Sequence, residues 1–244
     1  MPNFSVSNGS LETVTYRKGY LMKIFTLNDA VVRSLRKHHP ILQGKKLIAS
    51  GHFSGVFESD HPNKVLKLSI DKAGYFFLKD FASKSTCKHF PRIGADYGVV
   101  GSFVTSKNIK RTQITQPVHL TVPIYLYEVE KLFKIPQKTE SYRMGQHMTK
   151  GWRSLYSRCR ISEYADACIN SLAMLSTQPL FTHCPTAIDG LREIADFMKS
   201  YGNNAFIDFH GANFMQRKDG TFVFSDPVGD AYIYNNHFCS KLPN

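Results

Sequence analysis

Polar and apolar positions follow two rhythms along this chain. Up to about residue 130 they alternate in short runs, as strands do. KKLIAS, at 45–50, leads into GHFSGVFES, and KVLKLSI follows at 64–70. The turn-forming Asp60, His61, Pro62 and Asn63 separate the last two runs, which therefore read as joined strands. A helix is expected around 72–85, where Tyr75, Phe76, Leu78 and Phe81 are apolar. VHLTVPIYLYEVE, at 118–130, reads as a strand interrupted by Pro123, and the polar, basic SKNIKRTQITQP just before it reads as a loop.

Beyond residue 130 the rhythm turns helical. ISEYADACINSLAMLSTQ puts Ile161, Tyr164, Ala165, Cys168, Leu172 and Leu175 on one stripe. CPTAIDGLREIADFMKSYG does the same with Ile188, Leu191, Ile194, Ala195, Met198 and Tyr201. Pro185 can open that second helix, Asp189 lies early, Lys199 late, and Gly202 can end it. The expected class is α+β, with a sheet-rich part over 1–130 and a mainly helical part over 131–244. No internal repeat is seen.

Composition narrows the function classes. At 244 residues, 42% hydrophobic and 13% aromatic, the chain is long and apolar enough for one domain or two small lobes. No apolar run approaches the ~20 residues of a membrane span, and the first residues lack a signal-peptide core. A non-secreted protein without membrane association is expected. The five cysteines are scattered and form no CxxC, so reduced thiols are expected rather than a disulfide framework or zinc ribbon. Ten histidines form no HExxH pattern. The net charge of +12 concentrates at 33–46, 107–111 and 150–160. It suits either a polyanionic partner or a solvated surface serving a phosphate site. No helix-turn-helix, RNP or zinc-finger pattern supports base readout, and direct nucleic-acid binding is left open.

The candidate chemistry lies in AFIDFHGANFMQRKDGTFVFSDPVGD, at 205–230. FMQRKDGTFVF reads as a hairpin turning at Asp219-Gly220. Such a hairpin brings Asn213 and Asp226 together although they are thirteen residues apart. Two oxygen ligands from opposite sides suit Mg²⁺, which keeps its remaining positions for water and nucleotide phosphates. Asp208, five residues before Asn213, can then face an incoming hydroxyl as proton acceptor. These are the parts of a phosphoryl-transfer site. His210, between them, is expected to be a buried histidine that bonds a backbone carbonyl and orients the loop rather than reacting.

The first half supplies the matching nucleotide parts. Gly51, His52, Phe53, Ser54, Gly55 and Val56 form a glycine-bearing turn between strands, whose N–H groups can approach phosphates under an aromatic lid. Lys67 follows eleven residues after Val56, with Val65 beside it, and can reach back under the turn to the α- and β-phosphates of ATP. Lys64, three residues earlier, points to the other face of its strand.

GHFSGVF…PNKVLKL and FIDFHGANFM…FSDPV resemble the early-expressed serine/threonine protein kinases of T-seven-like bacteriophages, in motif order from about 51 to 228. The D-x-H-x-x-N form and the D-P-V after the hairpin are similar to that family rather than to H-R-D and D-F-G kinases. The resemblance implies a compact bilobal protein-kinase-like fold, with an antiparallel-sheet N-lobe and a reduced, mainly helical C-lobe. It also implies transfer of the ATP γ-phosphoryl to host proteins in the cytoplasm of an infected bacterium. Carried over by position, Asp208 is the base, Asn213 and Asp226 the Mg²⁺ ligands, and Lys67 the phosphate-binding lysine. Gly51, Phe53 and Ser54 would then form the phosphate loop.

The chain also departs from that pattern. Ala49 and Ser54 stand where the first and third glycines of G-x-G-x-x-G would be. No glutamate stands where a helix partner of Lys67 belongs; Asp71 and Asp80 are the nearest acids, and neither is assigned. Eighteen residues follow Asp226, with no A-P-E element, so activation-loop regulation is not expected. Two other readings stand beside the protein kinase. One is a small-molecule phosphotransferase of the D-x-x-x-x-N type. The other is a kinase-fold protein that inhibits a host factor by contact. Transcription or RNA-processing machinery is the expected class of host partner, on charge and resemblance.

Overall fold

The computed structural model describes residues 29–111, 114–156, 170, 174, 177 and 179–233. The fold is mixed α+β. Its main element is a five-stranded antiparallel sheet built from β1 (Leu47–Ser50), β2 (Ser54–Glu58), β3 (Lys64–Ser69), β4 (Ile93–Arg111) and β5 (Ile114–Glu130). The strand order is β1-β2-β3-β5-β4. Among the described residues no helix is long and apolar enough to cross a membrane.

Alternation in β3 divides the interior into two cores. Leu66 and Leu68 face one side with Phe57, Ile124 and Leu126, where helix α1 (Ala30–His38) inserts Val32. Val65 faces the other side with Tyr125, Tyr127 and Val129, and the period of two puts Lys67 on that same side. This second side is covered by α2 (Lys72–Phe76), by the π-helical turn Phe77–Ala82 that continues it, and by the C-terminal elements. The candidate chemistry lies on this side.

Helix α2 begins directly after β3 because Asp71 caps it, its carboxylate accepting from Gly74 N at 3.0 Å. Helices α3 (Glu140–Tyr156) and α4 (Ala187–Tyr201) follow β5 and a short strand β6 (Phe133–Lys134). Helix α4 buries Leu191, Ile194, Ala195, Phe197 and Met198 and ends at Gly202, whose φ of +63° lies in the left-handed region. A Cβ on Gly190 would stand 2.9 Å from Phe224 Cε2, so α4 packs closely on the hairpin beneath it.

Two expectations fail here. The stretch read as a loop at 106–117 belongs largely to β4 and β5, which pair from Ile93↔Val129 out to Arg111↔Ile114. Toward the tip, among the described residues, these two strands pair only with each other, so pairing rather than apolar alternation marks them as strands. Strand β5 also runs unbroken through Pro123. Within β5, strand β3 pairs only with Tyr125 to Glu130, so Pro123 lies beyond the third strand and its missing N–H costs that ladder nothing. The helical stripe read from Ile161 to Leu175 lies outside the described residues.

Candidate active site

Two short sheets assemble the C-terminal half of the site. Strand β7 (Ala205–Ile207) pairs antiparallel with β10 (Val228–Asp230), and Asp208 N continues the pairing by donating to Pro227 O at 2.9 Å. Strands β8 (Phe214–Gln216) and β9 (Phe222–Phe224) form the expected hairpin, with Phe214 opposite Phe224. Its turn closes with Gly220 N donating to Arg217 O, and Gly220 has a φ of +85°. Beyond the last pair Ser225 N donates to Asn213 O at 2.9 Å. Asp208, Asn213 and Asp226 therefore converge, each placed by a backbone pairing.

Hydrogen bonds hold the loop between Asp208 and Asn213. The Asp208 carbonyl accepts from His210 N at 3.0 Å and from Asn213 Nδ2 at 2.9 Å. Asn213 is buried, and with its nitrogen so engaged its side-chain oxygen is the atom able to face a cation. Burial pushes the Asp208 carboxyl up to about 6; the nearby His210 opposes that rise and the Asp226 charge adds to it. A carboxylate so placed is a better proton acceptor near neutral pH than an exposed one.

Lys67 joins the two halves. Its Nζ lies 2.8 Å from Asp226 Oδ2, although 159 residues separate them. Lys67 is 7% exposed. Burial alone would lower its pKa, but the Asp226 charge and hydrogen bond, with Tyr127 and Asp71 nearby, together hold the ammonium well above the ordinary lysine range. Val56 lies directly opposite Lys67 in β2, so Val56, Val65 and Lys67 share one face of the sheet. Gly51 N donates to Ser54 O at 2.8 Å, closing the turn that carries His52 and Phe53. Gly55, opposite Leu68, is buried behind it.

Two sequence expectations are corrected. His210 is exposed rather than buried and bonds no carbonyl through its ring: Nδ1 accepts from Ala212 N at 3.2 Å. That leaves Nε2 toward Asp208, 3.6 Å from Oδ2, so the imidazole caps the turn after the loop and faces the carboxylate directly. Phe53 is not a lid. Its ring packs against the α1-side core, and Ile70 N donates to its carbonyl at 2.9 Å.

Two further neighbours stand here, Asp71, which sequence reasoning named but left unassigned, and Tyr127, which it missed. Asp71, 4% exposed, lies so close to Asp226 that burial first, and then the Asp226 charge, hold its carboxyl well above the carboxylate range. Its signal was present as an Asp opening the D-K-A-G helix start. Tyr127, fully buried, stands opposite Lys67 on β5. Only the strand register could have revealed it.

Among the described residues no three His, Cys, Asp or Glu side chains gather as a metal cluster. A divalent cation here would rely on Asp226, Asn213, water and phosphate oxygens, a set that suits Mg²⁺. Asp226 fits that role, because its Oδ1 is buried without a hydrogen-bond partner. A separate cleft of about 410 Å³, lined by Arg33, Arg36, Lys37, Gly44 and Lys45, lies beside α1. Helix α1 covers the sheet face opposite Lys67, so the cleft takes no part in this constellation. In comparison with known proteins, no family model matches this chain, and neither a curated protein nor a solved structure matches it.

Proposed function

We propose that this chain is an ATP- and Mg²⁺-dependent serine/threonine protein kinase of phage type that modifies host proteins in the cytoplasm of an infected bacterium. In this reading 1–130 is the N-lobe and 131–244 a reduced C-lobe of a kinase-like fold. The observation that carries the proposal is the Lys67–Asp226 ion pair. It joins the lysine behind a glycine-bearing strand turn to the acid beside an Asp208–Asn213 loop, as phosphoryl transfer requires.

Each side chain then has a task. Lys67 holds the α- and β-phosphates. Asn213 and Asp226 would hold Mg²⁺, which when bound neutralises charge on the phosphates. Asp208 orients the serine or threonine hydroxyl and accepts its proton as the γ-phosphorus–oxygen bond to ADP breaks and the new one forms. His210 faces the Asp208 carboxylate and restrains it. The basic side chains around the α1 cleft suit an acidic face on a protein substrate.

Transfer of radiolabelled γ-phosphate from Mg-ATP in a bacterial extract tests the reading. Labelled protein bands with wild type that vanish with Asp208→Ala are expected. Nucleotide bound with no protein labelled would instead favour a contact inhibitor or a small-molecule acceptor.

A further inference from the structure

We infer that the cleft beside α1 binds a phosphate monoester, the phosphoserine or phosphothreonine group of a protein segment. The site stands on its own residues; its role, as a hold for substrate, rests on the kinase reading above. Arg33, Arg36, Lys37, Gly44 and Lys45 line about 410 Å³, which takes a side chain with its flanking backbone. No Asp or Glu occurs between Asp29 and Glu58. Asp29 itself is engaged at the start of α1, where it accepts from Val31 N at 2.9 Å.

Arg33, Arg36 and Lys37 stand at i, i+3 and i+4 and so share one face of the helix. Among the described residues none of the three makes an ion pair. Like charges at that spacing repel, so the face costs the helix stability until an anion joins it. Arg36 is half-buried, and its guanidinium lies 5.5 Å over the buried Phe57 ring, which holds it in place. Lys45 already holds an anion: its Nζ donates to Asp60 Oδ1. The lysine side chain is 18% exposed and that of Asp60 92%, so the carboxylate can leave to water while the ammonium stays. Asp60 stands in for one charge of the ligand. Beside Lys45, Gly44 has a φ of +73° and open space where a Cβ would stand.

Three unpaired cations and a fourth with an exchangeable partner favour a compact anion of more than one charge. A carboxylate brings a single charge. A phosphate monoester brings roughly two, with three acceptor oxygens at one point, and suits the arginine fork. The phosphates of a nucleic acid carry one charge each and are spread along a strand. Phosphoryl transfer as proposed above makes phosphoserine and phosphothreonine. A protein modified once would then be retained at α1 while a further hydroxyl reaches Asp208. Helix α1 covers the sheet face opposite Lys67, so the retained group does not block transfer.

Calorimetric titration of the full chain without ATP tests the site. The probes are three peptides of one sequence, with phosphoserine, serine or glutamate at the centre, and a single-stranded RNA. The phosphoserine peptide should bind about tenfold tighter than the other two peptides, and tighter than the RNA. Arg36→Gln should weaken its binding about tenfold. Lys37→Gln, at an exposed position that folding does not depend on, should weaken it in the same direction. Asp60→Asn removes the competing carboxylate and should tighten it about threefold. Equal affinity for the phosphoserine and glutamate peptides, tighter binding of the RNA, or a phosphopeptide affinity unchanged in Arg36→Gln and Lys37→Gln would overturn the site. Titration needs no catalysis, so its outcome is separate from that of the labelling experiment.

Discussion

Asp208 and Asp226 are the same residue type in one small space, and their surroundings separate their tasks. Asp208 is raised to about 6 by burial, and its backbone carbonyl accepts from Asn213 Nδ2 at 2.9 Å. Its carboxylate faces His210, with Nε2 3.6 Å from Oδ2. Asp208→Ala is expected to slow phosphoryl transfer by about 10²–10⁴-fold, with nucleotide binding little changed. An unchanged rate would remove Asp208 from the chemistry. Asp226 has one oxygen on Lys67 and one unsatisfied, as a cation ligand would. Asp226→Ala is therefore expected to weaken Mg-ATP binding itself, a difference calorimetry resolves. The spacing of these residues is legible in the sequence. The exposure of His210 and the proximity of Asp71 are not, because both depend on which way a loop turns.

At the scale of elements, the β8–β9 hairpin positions Asn213 and Asp226, and two features hold it. Gly220 supplies the left-handed turn. Gly220→Ala is expected to cost about 1 kcal/mol in chemical denaturation, from backbone strain alone. Arg217, at the start of the turn, binds Glu130 through two nitrogens, Nε at 2.6 Å and Nη2 at 2.8 Å, and also donates to the carbonyls of Lys88 and Phe90. This planar fork ties the hairpin to the end of β5. Arg217→Lys keeps the charge and loses the fork, and is expected to cost about 2 kcal/mol. The hairpin, α4 and the first three strands were readable because turn residues and hydrophobic period agreed. The outer parts of β4 and β5 were not, since among the described residues they pair only with each other and are specified by that pairing rather than by pattern.

For the whole molecule, the buried acids make stability depend on pH. In the folded protein Asp208 titrates near 6, above its unfolded value of 3.8. The folded state therefore binds the extra proton, and the stability this confers is full below the unfolded value and lost as pH rises through about 6. His89 acts in the opposite direction: burial lowers its pKa, so it costs stability as pH falls through its unfolded value of 6.5. Comparison with a variant separates the two. In the ligand-free protein, Asp208→Asn should gain melting temperature relative to wild type between pH 5 and 8. A difference that stays constant with pH would refute the assignment. Burial of acids without full pairing is a cost a site bears for binding something.

The sequence by itself determined the α+β class, the strand carrying Lys67, the helix that ends at Gly202, and the order of Lys67, Asp208, Asn213 and Asp226. Each follows from local physics: side-chain period, a glycine at positive φ, or a turn that fixes which ends meet. Tertiary structure decided which of these groups touch. Lys67 reaches Asp226 across 159 residues, and Asp71 and Tyr127 join them, because strand register and the bare Cα of Gly74 bring the groups into one buried space. Proximity of that kind is a property of packing, and no local pattern in a chain encodes it.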